Sequence, residues 1–300
     1  MSRGGILLGL AIAVAPSIAL AEDGDHPWCA PELSTLSNSV CTYTPEKIAE
    51  GPKTLVIFLH GLTSAGSDWQ YAFQRAGMRI ADSKGFTVIM PRGRLGIGPG
   101  NAMDTWAWPT AQGNQATTES ELLEEWATAQ SELEAKAGSK FERVWVFGFS
   151  NGAYYAASLA ARGRLASDGD SKHPVASGYA VFAGGSGASY LSVTAKNVED
   201  RPRFFVAWGG QDPAHGDQEE LAHMLHDLGW PLKTSPAPKA GHTATDKQLT
   251  EAVAFLGGET DPDKTVPKIT AKPQRTSKSK TAKKSKSKSK SKKKSKKAKG

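Results

Sequence analysis

Five short apolar runs recur along the chain, most of them closing on glycine: KTLVIFLHG (53–61), GFTVIMPRG (85–93), FERVWVFGFS (141–150), SGYAVFAGG (177–185) and RPRFFVAWGG (201–210). They are too short for helices and rich in Val, Ile and Phe, and polar positions do not alternate within them. That is the pattern of parallel strands covered on both faces. Between the runs the period changes. In TESELLEEWATAQSELEAKAG, Leu122, Trp126, Ala129 and Leu133 fall on one helical face with acids opposite, Thr118 and Glu121 form a capping-box pattern, and Gly138 is a stop. SDWQYAFQRAGMRIADSKG (67–85), DQEELAHMLHDLG (217–229) and TDKQLTEAVAFLGG (245–258) are helical by the same reasoning. Strand and helix in alternation predict an α/β fold, a doubly wound and mostly parallel sheet with helices on both faces.

The two ends of the 300-residue chain do not fit this pattern. Residues 1–21 combine Arg3, an apolar stretch and Ala19-Leu20-Ala21, which reads as a signal peptide with its cleavage site; the apolar run is short for a membrane anchor and Pro16 interrupts it. A secreted or periplasmic protein with no transmembrane span after cleavage is expected. From residue 261 to 300 the chain alternates lysine with serine. Of the 37 lysines and arginines, 17 lie in this tail with 2 of the 30 acids, a net +15; the first 260 residues keep 20 basic and 28 acidic side chains, a net −8. The basic total therefore belongs to the tail, which has too little apolar surface to offset the entropy of ordering and is expected to be disordered. Such a tail suits anionic polymers or surfaces, and without interleaved aromatic residues it does not suit sequence-specific nucleic-acid recognition. The two cysteines, Cys29 and Cys41, are expected to pair in an oxidising compartment, within an N-terminal segment (22–49) ahead of a catalytic domain (50–260). Two cysteines make a poor zinc site, and no metal or cofactor is expected.

In sheets of this kind ligands sit beyond the carboxyl ends of the strands, and four chemically capable positions fall there: His60-Gly61, Ser150, Asp212 and His242. Gly148-Phe149-Ser150-Asn151-Gly152 is the nucleophile-elbow pattern, in which a sharp strand-to-helix turn lifts a serine hydroxyl and glycines at −2 and +2 keep side chains off the neighbouring backbone. A serine needs a base, and the base an orienting carboxylate. His242 is the candidate base, with His215, His223 and His226 as competitors, and Asp212 the candidate acid, with Asp217 as its competitor. The backbone amides of Leu62 and Asn151 are the candidate oxyanion hole. His60, Trp69, Trp106 and Trp108 are candidates for substrate contact, His60 more as a residue that orients the oxyanion loop. The two indoles at 106 and 108 are expected in a long loop on the site's side.

The segments LVIFLHG, GFSNGA, WGGQDP and AGHT, in this order, resemble the signature segments of α/β-hydrolase serine esterases, and most of all the secreted polyhydroxybutyrate-depolymerase and feruloyl-esterase group. The likeness spans roughly residues 50–258. It implies a serine hydrolase that cleaves carboxylic esters of short-acyl, aromatic or polyester type through an acyl-enzyme, with Ser150, Asp212 and His242 as the triad. A peptidase using the same triad, or a protein acting mainly through its lysine-rich tail as an anionic-polymer binder, are the alternatives. About eighteen residues separate the runs ending at Gly185 and starting near Arg203, which leaves no room for a large helical lid.

Overall fold

The computed structural model describes residues 27–99, 102–167, 173–186 and 201–268. The signal-peptide segment 1–21, the stretch 187–200 that bears on a lid, and the chain beyond residue 268 lie outside the described residues.

The described residues form eleven strands and five helices in the order β1 (Ser34–Thr35), β2 (Cys41–Tyr43), β3 (Thr54–Leu59), β4 (Thr63–Ser64), α1 (Trp69–Lys84), β5 (Thr87–Met90), β6 (Arg94–Leu95), β7 (Thr105–Ala107), α2 (Gln112–Ala137), β8 (Arg143–Phe149), α3 (Asn151–Ala161), β9 (Gly178–Phe182), β10 (Arg203–Gly209), α4 (His215–Asp227), β11 (Leu232–Ala237) and α5 (Asp246–Gly257). Eight strands make one sheet in the order β1-β2-β5-β3-β8-β9-β10-β11. From β5 to β11 the pairings are parallel, and β1 and β2 add an antiparallel edge. This is the α/β-hydrolase fold, with the five apolar runs at its centre.

Side chains leave each strand on alternate faces, and here both faces are filled. Leu55, Ile57, Val144, Val146, Phe204 and Val206 pack into one core with Leu122, Trp126 and Leu133 of α2, the alanines of α3 and Leu221 and Leu225 of α4. Val56, Phe58, Trp145, Phe147, Phe205 and Ala207 pack into a second with Ile80 of α1 and Leu249, Val253 and Phe255 of α5. The absence of polar alternation in the sequence therefore reports two covered faces.

Two expectations are corrected. Helix α2 starts at Gln112, six residues before Thr118, so the Thr118–Glu121 pattern is not a cap; the Thr118 hydroxyl instead donates to the Asn114 carbonyl at 2.7 Å. A true capping box stands at α5, where Thr245 accepts from the Gln248 amide and the Gln248 side chain accepts from Thr245. Residues 261–268, expected to belong to the disordered tail, carry contacts to the body. Asp263 donates its amide to the Leu232 carbonyl at 2.7 Å and accepts from the Thr234 amide and hydroxyl. His223 and His226 meet the carbonyls of Pro267 and Lys264, so the first eight residues of the tail run along β11 and α4.

Cys29 and Cys41 form a disulfide. It closes a short loop, worth about 3 kcal/mol in the chain-entropy account. Buried Gln74 of α1 ties this segment down further: its Oε1 accepts the Ala30 amide at 2.8 Å and its Nε2 donates to the Trp28 carbonyl at 3.0 Å. Among the described residues no helix is long and apolar enough to cross a membrane.

Candidate active site

Ser150 is the residue between β8 and α3, and its backbone is strained: φ is 51° and ψ −118°, a left-handed conformation rare outside glycine. The flanking glycines permit it. A Cβ on Gly152 would sit 2.5 Å from the Leu59 carbonyl oxygen and 2.6 Å from that of His60, and one on Gly148 would collide with the Gly152 carbonyl. The elbow is thus packed backbone on backbone between β3 and β8. Ser150 also donates its amide to the Phe182 carbonyl of β9 at 2.9 Å. The first turn of α3 points at the serine, placing the positive end of a helix dipole there.

Two later strand ends complete the arrangement. The His242 Nε2 lies 2.9 Å from Ser150 Oγ, and its Nδ1 lies 2.8 Å from Asp212 Oδ2. A carboxylate only accepts, so Nδ1–H donates to Asp212, and Nε2 is left to accept from the serine hydroxyl. The Asp212 side chain is 1 % exposed and its second oxygen accepts the Ala214 amide at 2.9 Å, whereas the His242 side chain is 45 % exposed. The imidazole rests on the Phe149 ring, centroids 5.2 Å apart, and Phe149 in turn meets exposed Trp69 at 5.9 Å. Gln248 holds the loop that carries His242: its Nε2 donates to the carbonyls of Trp208 and Ser235, joining the ends of β10 and β11.

The competing residues are engaged elsewhere. The His215 ring meets the backbone carbonyl of Asp212 at 2.6 Å, and Asp217 accepts the Tyr154 hydroxyl at 2.6 Å. Burial, and then the Asp217 carboxylate, push the Tyr154 phenol above its ordinary pKa. Among the described residues no three His, Cys, Asp or Glu side chains gather as a metal site.

The loop after β3 passes directly beside the serine: a Cβ on Gly61 would lie 3.2 Å from Ser150 Cβ. The Leu62 amide follows Gly61 in this loop and the Asn151 amide opens α3 directly after the serine, the two candidate oxyanion donors. His60 anchors this loop from beneath. It is 1 % exposed, Nε2 accepts the Gly93 amide at 2.9 Å, and Nδ1–H donates to the Gly61 carbonyl. Burial lowers its pKa to about 4, so the ring is neutral in this role.

His60 is therefore a scaffold residue rather than a substrate contact. That is the orienting role expected of it; Trp108, a candidate for substrate contact, is likewise part of the scaffold. It is fully buried, stacks on Tyr155, donates Nε1–H to the His60 carbonyl at 2.8 Å and gives its own amide to Asn151 Oδ1 at 2.7 Å. The expected long loop is instead a small antiparallel sheet, β4-β7-β6, which folds Trp108 under the site and sets Trp106 opposite Thr63 and Leu95. Trp106 stays partly exposed under the Arg92 guanidinium, 4.3 Å from its ring. Sequence reasoning passed over Trp28, whose ring packs against His60 at 4.9 Å and brings the disulfide-tied segment up to the oxyanion loop. Its position next to Cys29 was the available signal. Gln248 was signalled by the Thr245-x-x-Gln248 pattern.

Residues 46–166 match the phospholipase/carboxylesterase family. The match takes in the loop at His60 and the elbow at Ser150, and it stops before Asp212 and His242, which the geometry supplies. The chain has the fold and the site of a serine ester hydrolase.

Among solved structures, the fold is similar to esterase PE8, with 20 % identity, TM-score 0.52 and coverage of 75 % of this chain and 98 % of that one. It is also similar to an uncharacterized protein from Bacillus cereus, with 16 % identity, TM-score 0.50 and coverage of 71 % and 62 %. Acyl-protein thioesterase 2 of Zea mays follows with 16 % identity, TM-score 0.49 and coverage of 73 % and 97 %. No curated protein matches the sequence.

Proposed function

We propose that the protein is a secreted carboxylesterase that acts through an acyl-enzyme on esters with apolar or aromatic acyl groups, polyester chains included. The observation that carries this reading is the continuous hydrogen-bonded line from Ser150 Oγ through His242 to buried Asp212, at 2.9 and 2.8 Å, on a strained elbow.

Ser150 Oγ attacks the ester carbonyl carbon while its proton passes to His242 Nε2. The carbonyl electron pair moves onto oxygen, and the amides of Leu62 and Asn151 stabilise that oxyanion. Asp212 keeps the imidazole in the required tautomer and stabilises its protonated form. Collapse expels the alkoxide, which takes the proton from Nε2 and leaves an ester on Ser150. A water that gives its proton to Nε2 attacks this ester, and the second collapse frees the acid and restores the serine. Loss of one oxyanion donor typically costs about 100- to 1,000-fold in turnover.

The substrate class rests on the surface beside the serine. Two of the exposed large hydrophobic residues among those described stand there: Leu62 follows Gly61, on which a Cβ would lie 3.2 Å from Ser150 Cβ, and Trp69 meets Phe149, the residue before the serine. Export rests on the apolar leader and on the disulfide. The net +15 of residues 261–300 would hold anionic polymers by counterion release and lose them with salt. A panel of short-acyl, feruloyl and polyester substrates with matched anilides tests the reading, using Ser150→Ala as control. Esters should turn over at least roughly 100-fold faster than anilides, with the alanine variant silent. Faster anilide cleavage would make the protein a peptidase, and full activity in Ser150→Ala would remove the mechanism.

A further inference from the structure

The amino end of the sheet, opposite the serine, carries a second concentration of charge. A depression of about 450 Å³ opens where β8 and β10 begin, lined by Arg143, Arg201 and Arg203 above Trp145, Leu256 and Pro202. The first 260 residues carry a net −8, so three guanidinium groups around one hollow run against the charge of the body. Other arginines there face carboxylates: Arg75 meets Glu32, Arg94 meets Glu121 and Glu125, and Arg162 and Arg164 meet Glu119. Arg143 and Arg201 enter no such pair among the described residues. Arg203 donates to the carbonyls of Phe255 and Thr260, at 3.1 and 2.9 Å, and lies over the Phe255 ring, contacts that fix its position without cancelling its charge. Among the described residues no carboxylate lines the hollow; that of Glu259 lies beside Gly257 at its rim.

Clustered like charges cost free energy that an anion recovers, and guanidinium forks match the two oxygens of a carboxylate or phosphate. The indole ring, leucine and proline suit a flat ring or a short alkyl chain, and the Ser177 hydroxyl on the same lining already donates to the Val144 carbonyl. We propose that this depression is a binding site for an amphipathic anion, a carboxylate or phosphate group on an aromatic or short alkyl body. It is separate from the ester site. Arg143 and Ser150 are seven residues apart along β8, about 23 Å at ~3.3 Å per residue.

Fluorescence titration of the full chain with 2-naphthoate, and with neutral 2-naphthamide, tests the site. The wild type should show one saturable naphthoate site, bind naphthamide at least tenfold more weakly, and lose at least tenfold in naphthoate affinity in Arg143→Gln/Arg201→Gln. Lys84→Gln, a surface charge on α1, should bind like the wild type. If the double variant melts early, Arg201→Gln alone, at an exposed position, carries the test with an expected loss of at least threefold. Unchanged affinity in these variants, equal binding of the amide, or no saturable site would overturn the proposal. Binding by the lysine-rich tail would survive the arginine changes and count against it.

Discussion

Ser150 stands on a turn between two elements at the centre of the sheet, whereas His242 stands on a loop after the edge strand β11. The serine's position follows from backbone packing: β3 carbonyls press against Gly152, and Phe182 of β9 takes the Ser150 amide. The histidine is nearly half exposed, and buried Asp212 and the Phe149 ring hold it. One half of the proton-transfer pair is fixed by the core of the fold, the other by its hydrogen bonds to Asp212 and Ser150 and one ring contact. Changes at the elbow should therefore cost fold and activity together, and changes at the edge should cost activity alone.

The largest expected effect lies at the edge. His242→Ala should lower kcat on the order of 10⁶-fold, as loss of a catalytic histidine does elsewhere, while the melting temperature stays within about 2 °C because the side chain is half exposed. A thermal melt and an ester assay on the same sample read both numbers. A large drop in melting temperature would erase the contrast. At the elbow, Gly152→Ala drives a methyl into the Leu59 and His60 carbonyls. Overpacking of this kind costs about 1–3 kcal/mol, and displacement of the serine should remove about 100-fold in kcat as well. Wild-type melting in this variant would show that the two glycines are not what fixes the turn.

His60 extends the comparison below the elbow. Burial lowers its pKa from 6.5 to about 4, so between those values the unfolded chain binds a proton that the folded chain refuses. Its contribution is complete above about pH 6.5 and is lost as pH falls toward 4, by roughly 3 kcal/mol. Urea melts across that range should show this slope, and His60→Gln, which keeps an acceptor for the Gly93 amide, should flatten it. An unchanged slope in the variant would place the titrating group elsewhere. The smallest effect is expected from Trp69→Ala, whose indole is exposed and reaches His242 only through Phe149. It should raise KM for aromatic esters about two- to fivefold and leave kcat within a factor of two. A loss confined to kcat would instead make Trp69 a support for the histidine.

The same contrast explains what the sequence made legible. The elbow could be read because its requirements are local: a strand, a tight turn with glycines at fixed offsets, and a helix of small residues. The five central strands were legible because both faces are buried and polar residues drop out. Strand β11 is visible only as a segment ahead of His242, since Pro236 and three partly exposed positions give it the composition of an edge. The two- and three-residue strands around Trp106 have no period to read, and only the tertiary fold reveals that Trp108 lies under the site. Likewise the early start of α2 rests on AQGNQA, which lacks an apolar stripe, and the packed residues 261–268 are held by Asp263 and two α4 histidines whose neighbours no local pattern announces.

The central claim is that Ser150 is a nucleophile activated by His242. Labelling with a fluorophosphonate, followed by peptide mass spectrometry on the wild type and His242→Ala, tests it most directly. One adduct per chain on the peptide containing Ser150, slowed roughly 1,000-fold or more without His242, is the predicted result. An adduct on another residue, or labelling of Ser150 at an undiminished rate in His242→Ala, would contradict it.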